Sequence, residues 1–250
     1  MKAAMIGYGQ MGQMIKTMSK NTAVEIVATI DPYSPDADFK QIDAASLAGV
    51  DVAICFTSPD AALENIQKVL ELKVPLVMGT TGWLDHKEQV EQWVAQAGVG
   101  MVYSSNFSIG VNLFFSIVAE AARMVNQFDM YDVMAVETHH KLKRDSPSGT
   151  ALTLGELLLE NLSKKDTLVT ERLDRRPEPN ELHFASIRGG HVPGTHQIEI
   201  DSEFDTIELT HRARNRGGFA SGALVAAQWI TKQTGFFTER EMMAHLLSQK

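Results

Sequence analysis

The sequence predicts an α/β fold in two parts, a doubly wound parallel sheet followed by an α+β part whose sheet is mainly antiparallel. Over the first hundred residues, short apolar runs alternate with segments of helical period, which is typical of a parallel sheet covered by helices. After about Asn106, the apolar runs alternate strictly with polar residues, which is typical of a sheet with one covered face. At about 150 residues per domain, the 250-residue chain has room for one to two domains.

The first part contains five predicted strands, and each ends at a turn-forming or polar residue. Apolar residues three or four positions apart predict helices between several of them, as in Met11, Ile15 and Met18. A proline at position 59 begins the helix after the third strand. The predicted strands cover residues 3–6, 24–30, 52–56, 75–78 and 99–103.

The second part begins with a long predicted helix, on which Leu113, Ile117, Ala121 and Met124 share one face. Predicted strands follow at residues 132–137, 197–200 and 206–210. A helix begins at residues 148–150, and the charged, proline-bearing segment 164–181 is predicted to be a surface excursion. The apolar helix at 222–230 can pack against either domain.

A glycine motif follows the first strand and begins the first helix: Gly7-Tyr8-Gly9-Gln10-Met11-Gly12. Asp31 comes nineteen residues later, at the end of the next strand. Such glycines let backbone N–H groups approach a pyrophosphate, and the acid binds ribose hydroxyls. The pattern therefore predicts a Rossmann-like dinucleotide-binding domain, with a merely tight strand–helix turn as the alternative. Residues 57–59 and 79–82 end two further strands and are candidate walls of the cofactor crevice.

A basic segment in the middle of the chain follows Glu137: Thr138-His139-His140-Lys141-Leu142-Lys143-Arg144-Asp145. Histidines at a strand end are suited to proton transfer near neutral pH. The helix start at Ser148-Gly149-Thr150 offers free N–H groups to an anion. Together these features predict a pocket for a carboxylate-bearing substrate, and the alternative is a solvated basic loop before a capped helix.

Composition and charge exclude several classes of protein. With 23 Lys and Arg against 31 Asp and Glu, the net charge of −8 argues against a nucleic-acid backbone as partner. No apolar stretch approaches the length of a membrane span, and Gly7 lies where the apolar part of a signal peptide would be. The single cysteine, Cys55, has a predicted packing role and indicates a reducing, cytoplasmic location.

Two further groups of residues have open roles. His191 and His196 flank a proline–glycine turn, but this pair alone is a weak metal signal, and we predict no metal site. Arg212, Arg214 and Arg216 are spaced to place cations along one rim, where they act as substrate clamps or as interface ion pairs.

The basic segment and the helix start closely resemble the signature of the 4-hydroxy-tetrahydrodipicolinate reductases, also called dihydrodipicolinate reductases. The matching residues are Glu137-Thr138-His139-His140, Lys143, Asp145 and Pro147-Ser148-Gly149-Thr150-Ala151. Similarity to the family covers nearly the whole chain. It extends to residues 79–82, 105–112, 188–196 and 219–223.

The resemblance implies an NADH- or NADPH-dependent reductase of lysine and diaminopimelate biosynthesis, which reduces 4-hydroxy-tetrahydrodipicolinate to tetrahydrodipicolinate with loss of water. It implies His139 as the acid/base residue and Lys143 as a proton donor. It also implies His140, Gly149 and Thr150 as ligands of the small dicarboxylate substrate. The implied cofactor residues are Gly7, Tyr8, Gly9, Gln10, Met11, Gly12, Asp31, Gly79, Thr80, Thr81, Ser104, Ser105, Asn106 and Phe107.

The resemblance also implies a domain organisation and an assembly. Residues 1–107 form the dinucleotide-binding domain, and a carboxyl-terminal helix, 217–250, returns to it. Residues 108–216 form the substrate-binding and oligomerisation domain, whose antiparallel sheets assemble a homotetramer. The alternating strands at 197–200 and 206–210 also favour an oligomer, because they present more sheet face than the helices of one subunit cover.

The cofactor loop departs from the commoner family form. It is one residue shorter, Gln10 stands where many members carry arginine, and Cys55 replaces an aspartate. Because Asp31 repels a 2′-phosphate and residues 32–35 contain no Lys or Arg, we expect NADH to be used at least as well as NADPH. Lys40 is the one nearby cation with a potential effect on this preference.

Two other functions compete with this one. Another two-domain dehydrogenase of an amino or hydroxy acid, similar to aspartate dehydrogenases, would share the first domain but lacks a His-His-x-x-Lys segment. A nucleotide-sensing protein without catalysis would have no reason to keep both His139 and Lys143. Oxidation of NADH in the presence of the pathway substrate distinguishes enzyme from sensor.

Overall fold

The computed structural model describes residues 1–248, and the chain divides into two compact units. Unit 1 contains residues 1–112 together with the chain from residue 216 onward. Unit 2 contains residues 113–215. Each unit has its own sheet, in agreement with the predicted α/β fold class.

Unit 1 is built on a six-stranded sheet in which all strands run parallel. The strands are buried on both faces, and for this reason their sequences are almost continuously apolar. The order across the sheet is β11-β5-β4-β3-β1-β2. The strands are β1 (Lys2–Ile6), β2 (Glu25–Ile30), β3 (Val52–Cys55), β4 (Leu76–Met78), β5 (Gly100–Tyr103) and β11 (Gly235–Thr238).

Helices cover both faces of this sheet. On one face, α2 and α3 pack through residues such as Ile66 and Val94, and on the other face α1, α6 and α7 pack through residues such as Ile15, Ala223 and Met242. Because β1 lies between β2 and β3, the strand order reverses there, and the crevice at such a point is the usual ligand site. The helices are α1 (Gln10–Ser19), α2 (Ala62–Glu71), α3 (Lys87–Ala97), α6 (Gly217–Ile230) and α7 (Glu239–Ser248).

The prediction of one carboxyl-terminal helix over residues 217–250 is wrong. The segment forms α6, then strand β11, and then α7, and residues 249–250 lie outside the described part of the chain. Phe236 and Phe237 pair with Met101 and Val102 of β5, so this short aromatic run adds a sixth strand to the sheet. The connection between β2 and β3, residues 31–51, contains turns and no helix.

Unit 2 contains a five-stranded sheet in the order β10-β9-β6-β8-β7. Strand β6 is antiparallel to β9 and parallel to β8, so the sheet is mixed, with its antiparallel half at β6, β9 and β10. Part of the predicted surface excursion at 164–181 forms a strand, β7, at the edge of this sheet. The strands are β6 (Asp132–His139), β7 (Thr167–Val169), β8 (Glu181–Arg188), β9 (Thr195–Asp201) and β10 (Thr206–Arg212).

One face of this sheet is covered by α4 (Ile109–Val125), whose first four residues belong to unit 1, and by α5 (Gly149–Asn161). The predicted apolar stripe of α4 is not the buried one, because Leu113, Ile117 and Met124 are 37%, 54% and 61% exposed. The adjacent stripe is buried instead, at Phe114, Val118, Ala122 and Val125. Within residues 1–248, no helix combines the length and apolar character of a membrane span.

Close packing of backbone on backbone fixes α6 in unit 1. A Cβ atom on Gly222 would lie 1.6 Å from the carbonyl oxygen of Phe107. We expect Gly222→Ala to lower the free energy of unfolding by about 1–3 kcal/mol, because a backbone oxygen cannot rotate away from the added methyl group. A shift of the urea midpoint to lower concentration is the measurement.

Gly189→Ala serves as the control, because nothing lies within 4 Å of its Cβ position. We expect its free energy of unfolding to stay within about 0.5 kcal/mol of the unmodified chain. The higher helix propensity of alanine alone would make Gly222→Ala more stable than the unmodified chain. Such a gain in stability would contradict the close contact with Phe107.

Candidate active site

The candidate cofactor residues of unit 1 meet at one edge of the parallel sheet. The glycine loop follows β1, Asp31 follows β2, Gly79–Thr81 follow β4, and Ser104–Phe107 follow β5. Parallel neighbouring strands end on the same side, so the sheet brings together segments that are up to a hundred residues apart in sequence.

The glycine loop is held tightly on one side and open on the other. Gly7 has a φ of +87°, and a Cβ atom there would lie 2.0 Å from the carbonyl oxygen of Phe56. A Cβ atom on Gly12 would lie 2.1 Å from the carbonyl oxygen of Gly7. Nothing lies within 4 Å of the Cβ position of Gly9, which directly precedes α1. The open side at the start of a helix suits the close approach of a phosphate group.

Asp31 joins the end of β2 to the glycine loop. Its Oδ2 accepts a hydrogen bond from the Tyr8 N–H at 2.8 Å, and its Oδ1 accepts from the N–H groups of Tyr33 and Ser34. Burial raises the pKa of Asp31, but these backbone donors and Lys40 outweigh it and hold the pKa below its ordinary value. Asp31 is therefore an ionised acceptor that also closes a turn. A carboxylate has about four acceptor positions, so one remains for a ribose hydroxyl.

The ends of β3 and β4 are joined by Thr80. Its hydroxyl accepts a hydrogen bond from the Thr57 N–H at 2.8 Å, and its carbonyl accepts from the Trp83 indole at 2.8 Å. A Cβ atom on Gly79 would lie 2.2 Å from the ring of Phe56. Thr80 is buried while Thr81 is exposed, so the two candidate threonines are in different environments. Buried Cys55, behind this wall, has a pKa raised to about 11 by burial and has the predicted packing role.

Internal hydrogen bonds shape the loop after β5. The N–H of Asn106 donates to the Ser104 hydroxyl at 2.9 Å, and the Asn106 side-chain oxygen accepts from the Ser108 N–H at 3.0 Å. Glu239, the first residue of α7, is hydrogen-bonded to the Ser104 side chain, and burial raises its pKa. Nothing in the local sequence indicates a place for Glu239 here, because only the pairing of β11 with β5 brings it to this edge.

In unit 2 the centre of the candidate site is the carboxylate of Glu137, which is fully buried on β6. Its Oε1 accepts hydrogen bonds from the Ser148 N–H at 2.9 Å, from the Ser186 hydroxyl at 2.8 Å and from Arg188 Nη2 at 2.8 Å. Its Oε2 accepts from the Ser148 hydroxyl. Burial raises the pKa of Glu137, but the hydrogen bonds from His196, Ser148 and Arg188 hold it well below its usual range.

His139 is the last residue of β6 and is buried beside this carboxylate. Its Nδ1 lies 3.1 Å from Glu137 Oε2 without the alignment of a hydrogen bond, and its ring meets the His196 ring edge-on at 5.2 Å between centroids. Burial lowers the pKa of His139 to about 4, against the opposing effect of Glu137. The imidazole is therefore neutral at neutral pH and can accept a proton.

The basic loop after β6 is folded back onto the neighbouring strand end. The His140 N–H donates to the carbonyl of Val192 at 2.8 Å, and the Lys143 N–H donates to the carbonyl of His140 at 3.0 Å. The Lys143 ammonium pairs with Asp145 at 2.8 Å. Arg188 Nη2 also donates to the Asp145 carbonyl at 2.6 Å. These contacts place Lys143 on an ordered loop near His139, rather than on a freely solvated one.

The start of α5 lies above Glu137. Ser148 is the N-cap residue, and its hydroxyl accepts from the Ala151 N–H at 3.2 Å while donating to Glu137. Gly149 is exposed, and nothing lies within 4 Å of its Cβ position. Thr150 is half-buried in the first turn. The helix start therefore keeps an open side at Gly149, where an anion can meet its N–H groups.

One group of side chains among residues 1–248 brings enough donor atoms together for a metal ion: Glu137, His139 and His196. Both oxygens of Glu137 already accept hydrogen bonds, and the guanidinium of Arg188 supplies the positive charge that the carboxylate needs. This donor set fits a hydrogen-bonded ion pair better than a metal centre.

A different concave region of unit 2 lies near the beginning of β6, at the opposite end of the strand from His139. Its two lysines are already paired, Lys164 with Asp129 and Lys165 with Asp132, both at 2.6 Å. Because its charges are matched within the chain, we assign no chemistry to it.

The prediction that the Ser148 N–H is free for an anion is wrong, because this group donates to Glu137. The roles of Glu137, Arg188 and His196 in this cluster were not predicted. Strand register brings Arg188 and His196 to this cluster. Glu137 lies opposite His196 on β9, and His139 lies beside Arg188 on β8. A glutamate two positions before a strand-end histidine was the available signal, but its burial depends on strands some fifty residues away.

Comparison with known families gives two adjoining matches. The amino-terminal family model of dihydrodipicolinate reductase matches residues 1–107, and the carboxyl-terminal model matches residues 110–243. Together they cover nearly all of the chain.

Individual relatives agree with the family models. A 4-hydroxy-tetrahydrodipicolinate reductase of Christiangramia forsetii is 40% identical, with 98% of this chain and 99% of that protein covered. One of Methanoregula boonei is 36% identical, with 94% of each covered. A dipicolinate-bound dihydrodipicolinate reductase structure from Paenisporosarcina sp. TG-14 has the same fold, with a TM-score of 0.80, 24% identity, and 96% and 98% of the two chains covered. The chain therefore belongs to the dihydrodipicolinate reductase family.

Proposed function

We propose that this chain reduces 4-hydroxy-tetrahydrodipicolinate to tetrahydrodipicolinate with a nicotinamide cofactor and loss of water, in diaminopimelate and lysine biosynthesis. The observation that carries the proposal is the buried Glu137 with His139 beside it at the start of α5, within a chain of this family. The family match favours this activity over an aspartate-dehydrogenase-like reaction, and the ordered Lys143 favours an enzyme over a sensor.

Unit 1 supplies the cofactor side. The open glycine loop would hold the pyrophosphate, Asp31 the adenosine ribose, and the segments Gly79–Thr81 and Ser104–Phe107 the nicotinamide half. These roles fit the open Gly9 and the ionised Asp31. When bound, the reduced nicotinamide supplies the hydride.

Unit 2 supplies the substrate side. The N–H groups of Gly149 and Thr150, together with His140, would bind the carboxylates of a small dicarboxylate. The ammonium of Lys143 adds positive charge to the same segment. A dicarboxylate substrate accounts for a cationic loop in a chain of net charge −8.

The two proton-transfer groups have different starting states. His139 is neutral and takes up or returns a proton beside the fixed charge of Glu137. Lys143 carries a transferable proton and is positioned by Asp145. Water is lost when the substrate hydroxyl takes up one proton and the neighbouring carbon gives up another. The resulting conjugated imine would accept the hydride, and a ring carbon must then be protonated. We assign these proton transfers to the His139 and Lys143 pair.

Cofactor preference follows from the balance of charge at the end of β2. Asp31 opposes a 2′-phosphate, but the Lys40 ammonium, bonded to the Ser34 carbonyl at 2.5 Å, lies close enough to lower the pKa of Asp31. We therefore propose that NADH is used at least as well as NADPH and that Lys40 keeps NADPH acceptable. A kcat/KM for NADPH more than tenfold above that for NADH contradicts this.

We further propose a cytoplasmic homotetramer with a dinucleotide-binding domain, expected at 1–107, and a substrate-binding and oligomerisation domain, expected at 108–216. Unit 1 and unit 2 correspond to these domains, with the boundaries at residues 112 and 216 instead, so that Arg216 belongs to the dinucleotide-binding domain. The face of the unit 2 sheet away from α4 and α5 supports an oligomer, since Met134 and Ile187 on it are 44% and 52% exposed. The single, buried cysteine suits a reducing compartment.

The first test of this proposal removes the two proton-transfer groups. We expect His139→Ala and Lys143→Ala each to lower kcat by a factor of ~10²–10⁴ while leaving the Kd for NADH unchanged, because acid–base groups act on the reaction and not on the nucleotide. Steady-state rates and a fluorescence titration with NADH provide the two values.

Lys141→Ala is the matched control, because Lys141 is an exposed cation of the same loop without an ion pair among the described residues. Its kcat should stay close to that of the unmodified chain. If all three variants lose activity equally and modestly, the loop acts only as a diffuse positive patch. That result would contradict the proton-transfer roles of His139 and Lys143.

A second test addresses the cofactor. We expect Lys40→Ala to lower the ratio of kcat/KM for NADPH to that for NADH by about threefold, because an exposed lysine beside a phosphate contributes up to about 1 kcal/mol. Lys20→Ala, which removes an exposed lysine at the end of α1, should leave the ratio unchanged. An unchanged ratio in Lys40→Ala excludes Lys40 from cofactor selection.

The third test is the mass in solution. We expect light scattering at micromolar concentration to give about four times the chain mass, because the exposed sheet face needs a cover. A mass near 27.6 kDa would contradict the oligomer. Met134→Glu, which places a charge on that face, should shift the mass toward the monomer.

A further inference from the structure

The three arginines at residues 212–216 have different positions. Arg212 and Arg214 belong to unit 2, whereas Arg216 belongs to unit 1 and directly precedes α6. Helices α1 and α6 pack together on one face of the parallel sheet. The contact between Arg216, just before α6, and Gln10, the first residue of α1, brings the beginnings of the two helices side by side, where the glycine loop ends.

A hydrogen bond fixes this neighbourhood. Arg216 Nη1 donates to the side-chain oxygen of Gln10 at 2.7 Å, and Gln10 is the first residue of α1. The Gln10 amide is neutral, so this bond orients the guanidinium without cancelling its charge. Among residues 1–248, no carboxylate lies within 4.0 Å of Arg216. An arginine has five N–H donors, so most of those on Arg216 remain for another partner.

The glycine loop itself supplies no cation. Residues 7–12 offer backbone N–H groups but contain no charged side chain, and the whole chain has a net charge of −8. Lys16, the charged residue of α1, lies over the Tyr8 ring at 5.2 Å. Its charge also contributes, after the hydrogen bond from Thr29, to lowering the pKa of Asp38. Backbone dipoles alone would have to hold a doubly charged pyrophosphate in a negatively charged protein.

We propose that Arg216 is a cofactor-binding residue that pairs with the pyrophosphate of the dinucleotide and is positioned for it by Gln10. The proposal rests on the function proposed above and adds a residue of α6 to its cofactor site. The pyrophosphate is the favoured anion because it belongs at the start of α1, whereas a 2′-phosphate belongs beside Asp31 at the end of β2. A guanidinium suits this task because it binds phosphate oxygens through two parallel N–H groups.

Equilibrium binding of NADH, NADPH and ADP-ribose tests the proposal without turnover. We expect Arg216→Gln to raise the Kd for all three by about tenfold, since each contains the pyrophosphate and a charge-assisted hydrogen bond is lost. Arg216→Lys should recover part of the affinity, and the salt dependence of binding should be weaker in Arg216→Gln than in the unmodified chain. Arg240→Gln, an exposed arginine of α7 in the same unit, is the matched control and should bind normally.

Two results overturn the proposal alone. One is an unchanged Kd for NADH and ADP-ribose in Arg216→Gln, and the other is a loss confined to NADPH, which would assign Arg216 to the 2′-phosphate. Failure of the unmodified chain to bind any of the three ligands is a different outcome, since it overturns the proposed function together with this inference. Circular dichroism of the variants verifies that an exposed substitution leaves the fold intact.

Discussion

The candidate active site depends on one buried charge. A carboxylate without solvent is stable only when it is fully hydrogen-bonded and paired, and Glu137 meets both conditions through Ser148, Ser186 and Arg188. These partners come from α5 and β8, so the charge fixes how the helix start meets the sheet. His139 then lies beside a permanent negative charge and near an open helix start. The loop that carries His140 and Lys143 is held separately, through Val192 and Asp145.

Much of the fold could be predicted because its signals are local. The five parallel strands are continuous apolar runs, and the glycine loop is a contiguous motif in which Gly7 and Gly12 each leave no room for a Cβ atom. Strand β11 had no comparable signal, since Phe236 and Phe237 become a strand only by pairing with β5. On α4, two neighbouring stripes are apolar, so periodicity alone could not tell that Phe114 and Val118 are buried while Ile117 is exposed.

The candidate site shows the same division. His139, Lys143 and the α5 start are close enough in sequence to be recognised as one motif. The structure places His139 and the α5 start at the carboxylate of Glu137, and Lys143 pairs with Asp145 on the adjoining loop. The groups that tune them are distant in the chain and meet only through strand register. His196 reaches Glu137 because β9 is antiparallel to β6, and Arg188 reaches it because β8 is parallel to β6. The local pattern therefore predicts candidate proton-transfer groups, whereas the environment that sets the pKa of His139 depends on tertiary structure.

The bond between Asp31 and the Tyr8 N–H has a consequence for redesign of the cofactor preference. Replacing this acid is the obvious way to admit a 2′-phosphate, but here the same carboxylate also holds the glycine loop and closes the turn at Tyr33 and Ser34. Any neutral substitute of different shape releases the loop and the turn together, so the end of β2 and the glycine loop cannot be altered independently. Selectivity is therefore more readily engineered at exposed positions around the acid than at the acid itself.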